Sequence, residues 1–261
     1  MASRYRSPAD LLDELGITEP EDIDVEAIAF HCRAFVRYRP LEGCEARIIG
    51  FDDRAIISVN QSSMLARQRF SIAHELGHWM QDQGSISFAC GERIFTTAWS
   101  EDNPERRANR YAADLLMPEQ PFRRLAKNQE ITFATVRRLA RTFRTSLVPT
   151  AITLVHLGSF PCMIICNNPN KRLWFSREAD VGLWPNDRPG RSTIAYDLMH
   201  GIASVESPQD VCADGWIDHP ESGRYEIRED SLRIPIPDGP DLVLSLLWWK
   251  DERQLLDLDE E

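Results

Sequence analysis

Arg69-Phe70-Ser71-Ile72-Ala73-His74-Glu75-Leu76-Gly77-His78-Trp79-Met80 is the stretch on which the reading of this chain turns. Leu65, Ile72, Leu76 and Trp79 recur at helical spacing and make a buried stripe running to Met80, while Phe70, His74 and His78 lie on an adjacent face. Ser62 or Ser63 stands where a cap belongs. Histidines at i and i+4 of such a helix hold their Cβ atoms about 6 Å apart and project both imidazoles from one face. Two of the four positions of a tetrahedral zinc ion are then filled from a single turn. Glu75, next to His74 around the helix, reaches a metal-bound water without ligating the metal. The plainer alternative is a pair of surface or core histidines; helix context, capping and spacing weigh against it.

Two histidines need a third ligand. A metzincin places glycine and histidine three and six residues after the second histidine, but Gln81 and Gly84 stand there, so that class is excluded. Asn103-Pro104-Glu105 supplies an N-cap, a proline at the first helical position and an acidic first turn; Ala108, Tyr111, Ala112 and Leu115 give the helix an apolar face, and Pro118 ends it. Glu105 is the preferred third ligand. Asn109 follows four residues on, on the same face, where it can fix the tautomer of a liganding histidine. Glu101 and Asp102 compete but precede the cap, and Glu105 also complements the helix dipole.

Around these two helices the chain is an ordinary globular mixture of 261 residues, 43% apolar and 27% charged. Its net charge of −11 argues against affinity of the whole molecule for nucleic acid or anionic membrane. The start lacks an apolar leader core, and no window approaches ~18 uncharged apolar residues, so the expectation is a cytoplasmic protein with no membrane partner. Six cysteines fit no disulfide scaffold. Cys162 and Cys166 bracket a strand and stand roughly 13 Å apart, too far for a bridge or a shared ion.

Pro8 to Gly16 reads as a short helix, and Val25 to Phe35 holds a second element. Arg47 to Phe51 and Ala55 to Asn60 flank Asp52-Asp53-Arg54 as a hairpin. Behind Pro118, the segments Phe122 to Lys127, Thr132 to Phe143 and Ser146 to Leu157 read as three shorter helices. Short strands follow at Cys162 to Cys166, Arg172 to Ser176, Leu232 to Pro237 and Leu242 to Trp249, with one helix near Ser192 to Ile202.

Arg69 to His78, together with Glu105-Arg106-Arg107-Ala108-Asn109-Arg110-Tyr111-Ala112-Ala113-Asp114-Leu115-Leu116-Met117-Pro118, resembles the ImmA/IrrE family of bacterial metallopeptidases. The likeness runs strongly from about Ile56 to Pro118, continues through the helices to about Leu157 and fades beyond. In that family these segments carry the two histidines, the catalytic glutamate and the third glutamate ligand. The resemblance implies an endopeptidase that cleaves a helix-turn-helix repressor of the XRE type, in stress responses or mobile elements. The fold expected is α+β: a zincin-like, gluzincin-type peptidase domain over 1–120, mainly helical with a small sheet, a helix-turn-helix-like extension over 121–158, and a mixed α/β region over 159–261. A GAF-like sensory module occurs at that last place in some relatives, but the residues here name no ligand for it.

The residue chemistry leads to the same reaction. Zinc on His74, His78 and Glu105 leaves an open position for water, whose pKa the metal lowers to about 7, and Glu75 takes the water's proton and returns it to the leaving amine. Manganese or iron suits the same ligands. His156, His200, His219 and Tyr111 are candidates to assist the oxyanion. The strand before the helix, Ile57, Ser58, Val59 and Asn60, is the candidate edge for pairing with an extended substrate.

Between Phe122 and Thr145 seven basic residues face one acid, a local +6, so the remainder of the chain carries −17. Direct DNA contact by this segment is the lesser reading, and support of the active site or docking of the repressor the preferred one. The competing account of the whole chain is a non-catalytic transcriptional regulator or partner-binding protein with a structural metal site.

Overall fold

Ser7 accepts the amide of Asp10 while Asp10 reaches back to the amide of Ser7, a reciprocal cap that starts α1 (Pro8–Glu14) with proline in its first turn. Asp24 does the same work for α2 (Val25–His31), accepting the amides of Glu26 and Ala27. In this computed structural model the described residues are 5–81, 87–90, 103–202, 207–237, 239–251 and 253–259. They form a mixed α+β chain with nine α-helices and two sheets, divided between two units, Met1–Arg124 with Ala140–Pro149 and Leu125–Leu139 with Thr150–Glu261.

The first unit is built on the sheet β1 (Ala34–Arg39), β2 (Ala46–Phe51), β3 (Arg54–Asn60) and β4 (Ser87–Cys90), in the order β1-β3-β2-β4. The expected hairpin is β2–β3, and Asp52 turns it in the left-handed conformation that a short aspartate tolerates. β1 then pairs with β3 in parallel, Val36 opposite Ile57 and Tyr38 opposite Val59. That corrects one expectation: Ile57, Ser58, Val59 and Asn60 do not form an edge. Both hydrogen-bonding sides of β3 are taken, by β1 and by β2, so its backbone has nothing left for a substrate.

α3 (Leu65–Gln81) lies against the sheet's inner face, where Ile72, Leu76 and Trp79 join Ile48, Ile57 and Val59 in one core. Neither serine caps it. Ser62 turns to Asn60 and Ser63 to Glu45, and the helix starts from the carbonyl of Met64. α4 (Pro104–Leu116) is capped by Asn103 on the amide of Glu105, as its sequence predicts, and packs Tyr111, Ala112 and Leu115 into the same core. α5 (Glu119–Ala126) follows; its Phe122 ring sits 5.2 Å from that of Phe143. The stretch 121–158, expected as an extension of its own, is shared between the units, because α6 (Phe133–Phe143) and α7 (Leu147–Leu157) each contribute residues to both.

The second unit is a five-stranded antiparallel sheet of β5 (Cys162–Asn167), β6 (Arg172–Arg177), β7 (Gln209–Cys212), β8 (Glu226–Ile234) and β9 (Leu242–Trp248), ordered β6-β5-β9-β8-β7. Two short helices, α8 (Ile194–Met199) and α9 (Arg253–Asp259), complete it. Cys162 and Cys166 are buried and unbridged on β5. Two adjacent acids of β8 are buried as well. Glu229 accepts the amides of Ile194 and Ala195, at 3.0 and 2.7 Å, with the Trp216 indole and the Ser231 hydroxyl. Asp230 accepts the amide of Phe133 at 2.6 Å, at the start of α6.

Candidate metal centre

The i, i+4 spacing on α3 turns into a convergence of three ligand atoms. Nε2 of His74 lies 3.2 Å from Nε2 of His78 and 3.2 Å from a carboxylate oxygen of Glu105, and the second oxygen of Glu105 is 3.4 Å from Nε2 of His78. A tetrahedral ion at zinc's ligand distances needs donor atoms about 3.3 Å apart. The three side chains meet that requirement, and among the described residues they form the group of histidine, cysteine or acidic side chains close enough to share an ion. Both histidines are buried, and Glu105 is about one-third exposed, so the group opens to solvent on the glutamate's side.

The Nδ1–H of His74 donates to Oδ1 of Asn109 at 2.9 Å, which leaves the Nε2 lone pair facing His78 and Glu105. The neighbouring imidazoles of His74 and then His78 hold the Glu105 carboxyl well below the usual carboxylate range, against a smaller opposing effect of burial. Glu75 is wholly buried in the same turn of α3. His74, Glu75, His78, Glu105 and Asn109 therefore all come from α3 and α4, whereas Glu101 and Asp102 lie outside the described residues.

Close packing explains why the two helices meet here. A β-carbon on Gly77 would lie 3.0 Å from Cβ of Tyr111 and 3.1 Å from Cα of Ala108, so glycine admits α4 one turn from the ligands. Gln81 and Arg107 fasten the other end: the Gln81 amide donates to the carbonyl of Arg107 at 3.2 Å, and the Arg107 Nε–H returns a bond to the Gln81 carbonyl oxygen at 3.1 Å. The sequence reading passed over this pair, although Gln81 continues the face of His74 and His78 at helical spacing.

The remaining candidates are placed differently. Tyr111 is buried, and its hydroxyl donates to the carbonyl of Arg6 at 3.3 Å, on the flank of α4 that meets Gly77. His156, His200 and His219 belong to the second unit. In the basic segment Arg123 pairs with Glu119, Arg124 with Glu19, and Arg144 donates to the carbonyl of Glu21. The positive charge falls on α5, α6 and the turn after it, and α7, the recognition position of a helix-turn-helix, carries no lysine or arginine. No helix among the described residues is long and apolar enough to cross a membrane.

Comparison with known proteins bears on the family and the fold. No curated protein matches the sequence. The fold is similar to that of a solved structure described as a Mycobacterium tuberculosis transcriptional regulator, with a TM-score of 0.57 at 16% identity over 92% of this chain and 73% of that one, a likeness of fold alone. Residues 33–154 match Peptidase_M78, the IrrE N-terminal-like domain, and the converging ligands all lie within that stretch. Over residues 33–154 the chain is thus similar to the IrrE N-terminal-like domain, in keeping with the ImmA/IrrE metallopeptidase family that its sequence resembles.

Proposed function

We propose that this chain is a zinc-dependent endopeptidase of the zincin-like, gluzincin type, that it works in the cytoplasm, and that its substrate is an XRE-type helix-turn-helix repressor controlling a stress response or a mobile element. The observation that carries the reading is the spacing of 3.2 to 3.4 Å among the ligand atoms of His74, His78 and Glu105, with a glutamate, Glu75, one residue from the first of them. A structural site has no use for that glutamate. A divalent ion bound there supplies a Lewis acid for the attacking water and the scissile carbonyl. Glu75 takes the proton of that water and delivers it to the leaving amine. Asn109 keeps His74 in the tautomer that ligates, and the exposed side of Glu105 is where an extended peptide enters.

The substrate class rests on the family resemblance, and a regulatory setting is in keeping with the name of the structurally similar Mycobacterium tuberculosis protein. Zinc is preferred over manganese or iron on the ligand set of two imidazoles and one carboxylate. The test is Glu75→Gln, co-expressed with an XRE-type repressor encoded beside the gene. One equivalent of metal by elemental analysis with no cleavage of the repressor is expected. Undiminished cleavage would refute the mechanism, and loss of metal would reassign Glu75.

A further inference from the structure

The sheet β1-β3-β2-β4 has two faces, and the core covers one. Alternation sends Ala34, Ile48, Ile57 and Val59 inward, so the residues between them stand on the other side. Their register builds two rows. Phe35, Ile56 and Ile49 are cross-strand neighbours in the first, and Arg37, Ser58 and Arg47 in the second. Phe51 extends the first row along β2 and is 78% exposed, and Phe35 stands edge-on to the exposed ring of Phe30, with centroids 5.6 Å apart. The face is therefore apolar along one line and cationic along the next.

Among the described residues no ion pair holds Arg37 or Arg47 of that second line, nor Arg39 in the next row, opposite Asn60. The Nε–H groups of Arg39 and Arg47 are shut off from water and have no hydrogen-bond partner among the described residues. Of the acids on the strands and turns of this sheet, Glu45 is engaged with Ser63 and Arg67, and Asp53 with Arg33 and Arg54. A chain with a net charge of −11 thus keeps, among its described residues, three arginines without an ion-pair partner beside exposed rings. Exposed rings require flat apolar partners, and guanidinium groups require anions at regular intervals. Single-stranded nucleic acid supplies both, whereas a duplex hides its base faces and an acidic peptide brings carboxylates without flat faces. Selection for RNA needs a polar group to read the 2′-hydroxyl, and here Ser58 is buried and Asn60 already accepts from Ser62.

We infer that the outer face of this sheet binds single-stranded DNA, with bases stacked on Phe35 and Phe51 and phosphates on Arg37, Arg39 and Arg47. Phe35 and Phe51 lie two strands and two residues apart, about 12 Å from strand spacings, which suits the two or three bases that such platforms hold.

The test is fluorescence anisotropy of labelled dT15 with the full chain between 50 and 200 mM NaCl. Saturable binding is expected, with a log–log salt slope near −2, from about 0.7 per phosphate for three arginines. Phe51→Ala and Phe35→Ala should each weaken it by about fivefold to a hundredfold, while Phe51→Trp keeps it. Arg47→Gln should flatten the slope by about 0.7. Phe51 is too exposed for its replacement to unfold the chain, so it carries the test if Phe35→Ala alters melting. Glu75→Gln should bind dT15 as the unaltered chain does, which keeps this inference separate from the peptidase reading. Absence of binding, or binding indifferent to Phe51→Ala, overturns it. So does tighter binding of rU15, or displacement of dT15 by polyglutamate as readily as by unlabelled dT15, which would assign the face to RNA or to an acidic protein.

Discussion

Cα of Ala108 lies 3.1 Å from the point a β-carbon on Gly77 would occupy, so α3 and α4 touch with no side chain between them. Glu105 is one turn before Ala108 on the same helix, and the distance between the helices sets the distance between the ligands. Gly77→Ala gains up to about 1 kcal/mol of helix propensity and loses about 1–3 kcal/mol to overpacking. Melting should fall only modestly. Metal affinity should fall at least tenfold, because the carboxylate retreats with α4. A competitive chelator titration reads this, and unchanged affinity would mean that the ligands do not depend on this contact.

Asn109 should act through His74. Asn109→Ala removes the acceptor of the Nδ1–H bond, so metal affinity should drop about 10- to 100-fold, whereas Asn109→Asp, which accepts the same bond, should retain most of it. Equal losses in both variants would show that size and not hydrogen bonding matters there.

Glu105→Ala should leave His74 and His78 in place and abolish stable metal binding, since two imidazoles alone hold half a tetrahedral site. Gln81→Ala should do less, loosening the ends of α3 and α4 at a cost of about 1–2 kcal/mol in melting experiments. If the Glu105 variant keeps its metal, the third ligand lies elsewhere.

Glu229 gives the second unit a pH signature. Burial pushes its carboxyl up, and four donors hold the rise back. A carboxyl raised above its unfolded value contributes stability at acid pH that is lost as pH climbs through the folded pKa. Glu229→Gln has no proton to lose. The melting temperature of the unaltered chain, measured relative to the variant, should therefore be highest near pH 4 and decline toward neutrality; a gap that widens with pH would contradict the assignment.

The candidate metal site was legible because its signals are local. His74, Glu75 and His78 occupy one turn, and Asn103-Pro104-Glu105 announces a helix start within three residues. What escaped is non-local. β2–β3 shows as a hairpin, but nothing near Ile57 reveals that β1 will pair on its other side, so a central strand read as an edge. From sequence Glu226 to Asp230 is given no strand, since four of its five residues are charged; burial of Glu229 and Asp230 becomes tolerable only when helix starts from distant sequence supply donors. The Gln81–Arg107 exchange likewise needs two helices already side by side.

Glu229 and Asp230 point to opposite faces of β8, and each closes the start of a different helix. β8 thereby acts as a rivet driven through the sheet. A slip of one residue in its pairing would turn both carboxylates to the wrong sides and strip α6 and α8 of their anions together. Two helix ends drawn from separate parts of the chain thus proofread the register of a single strand.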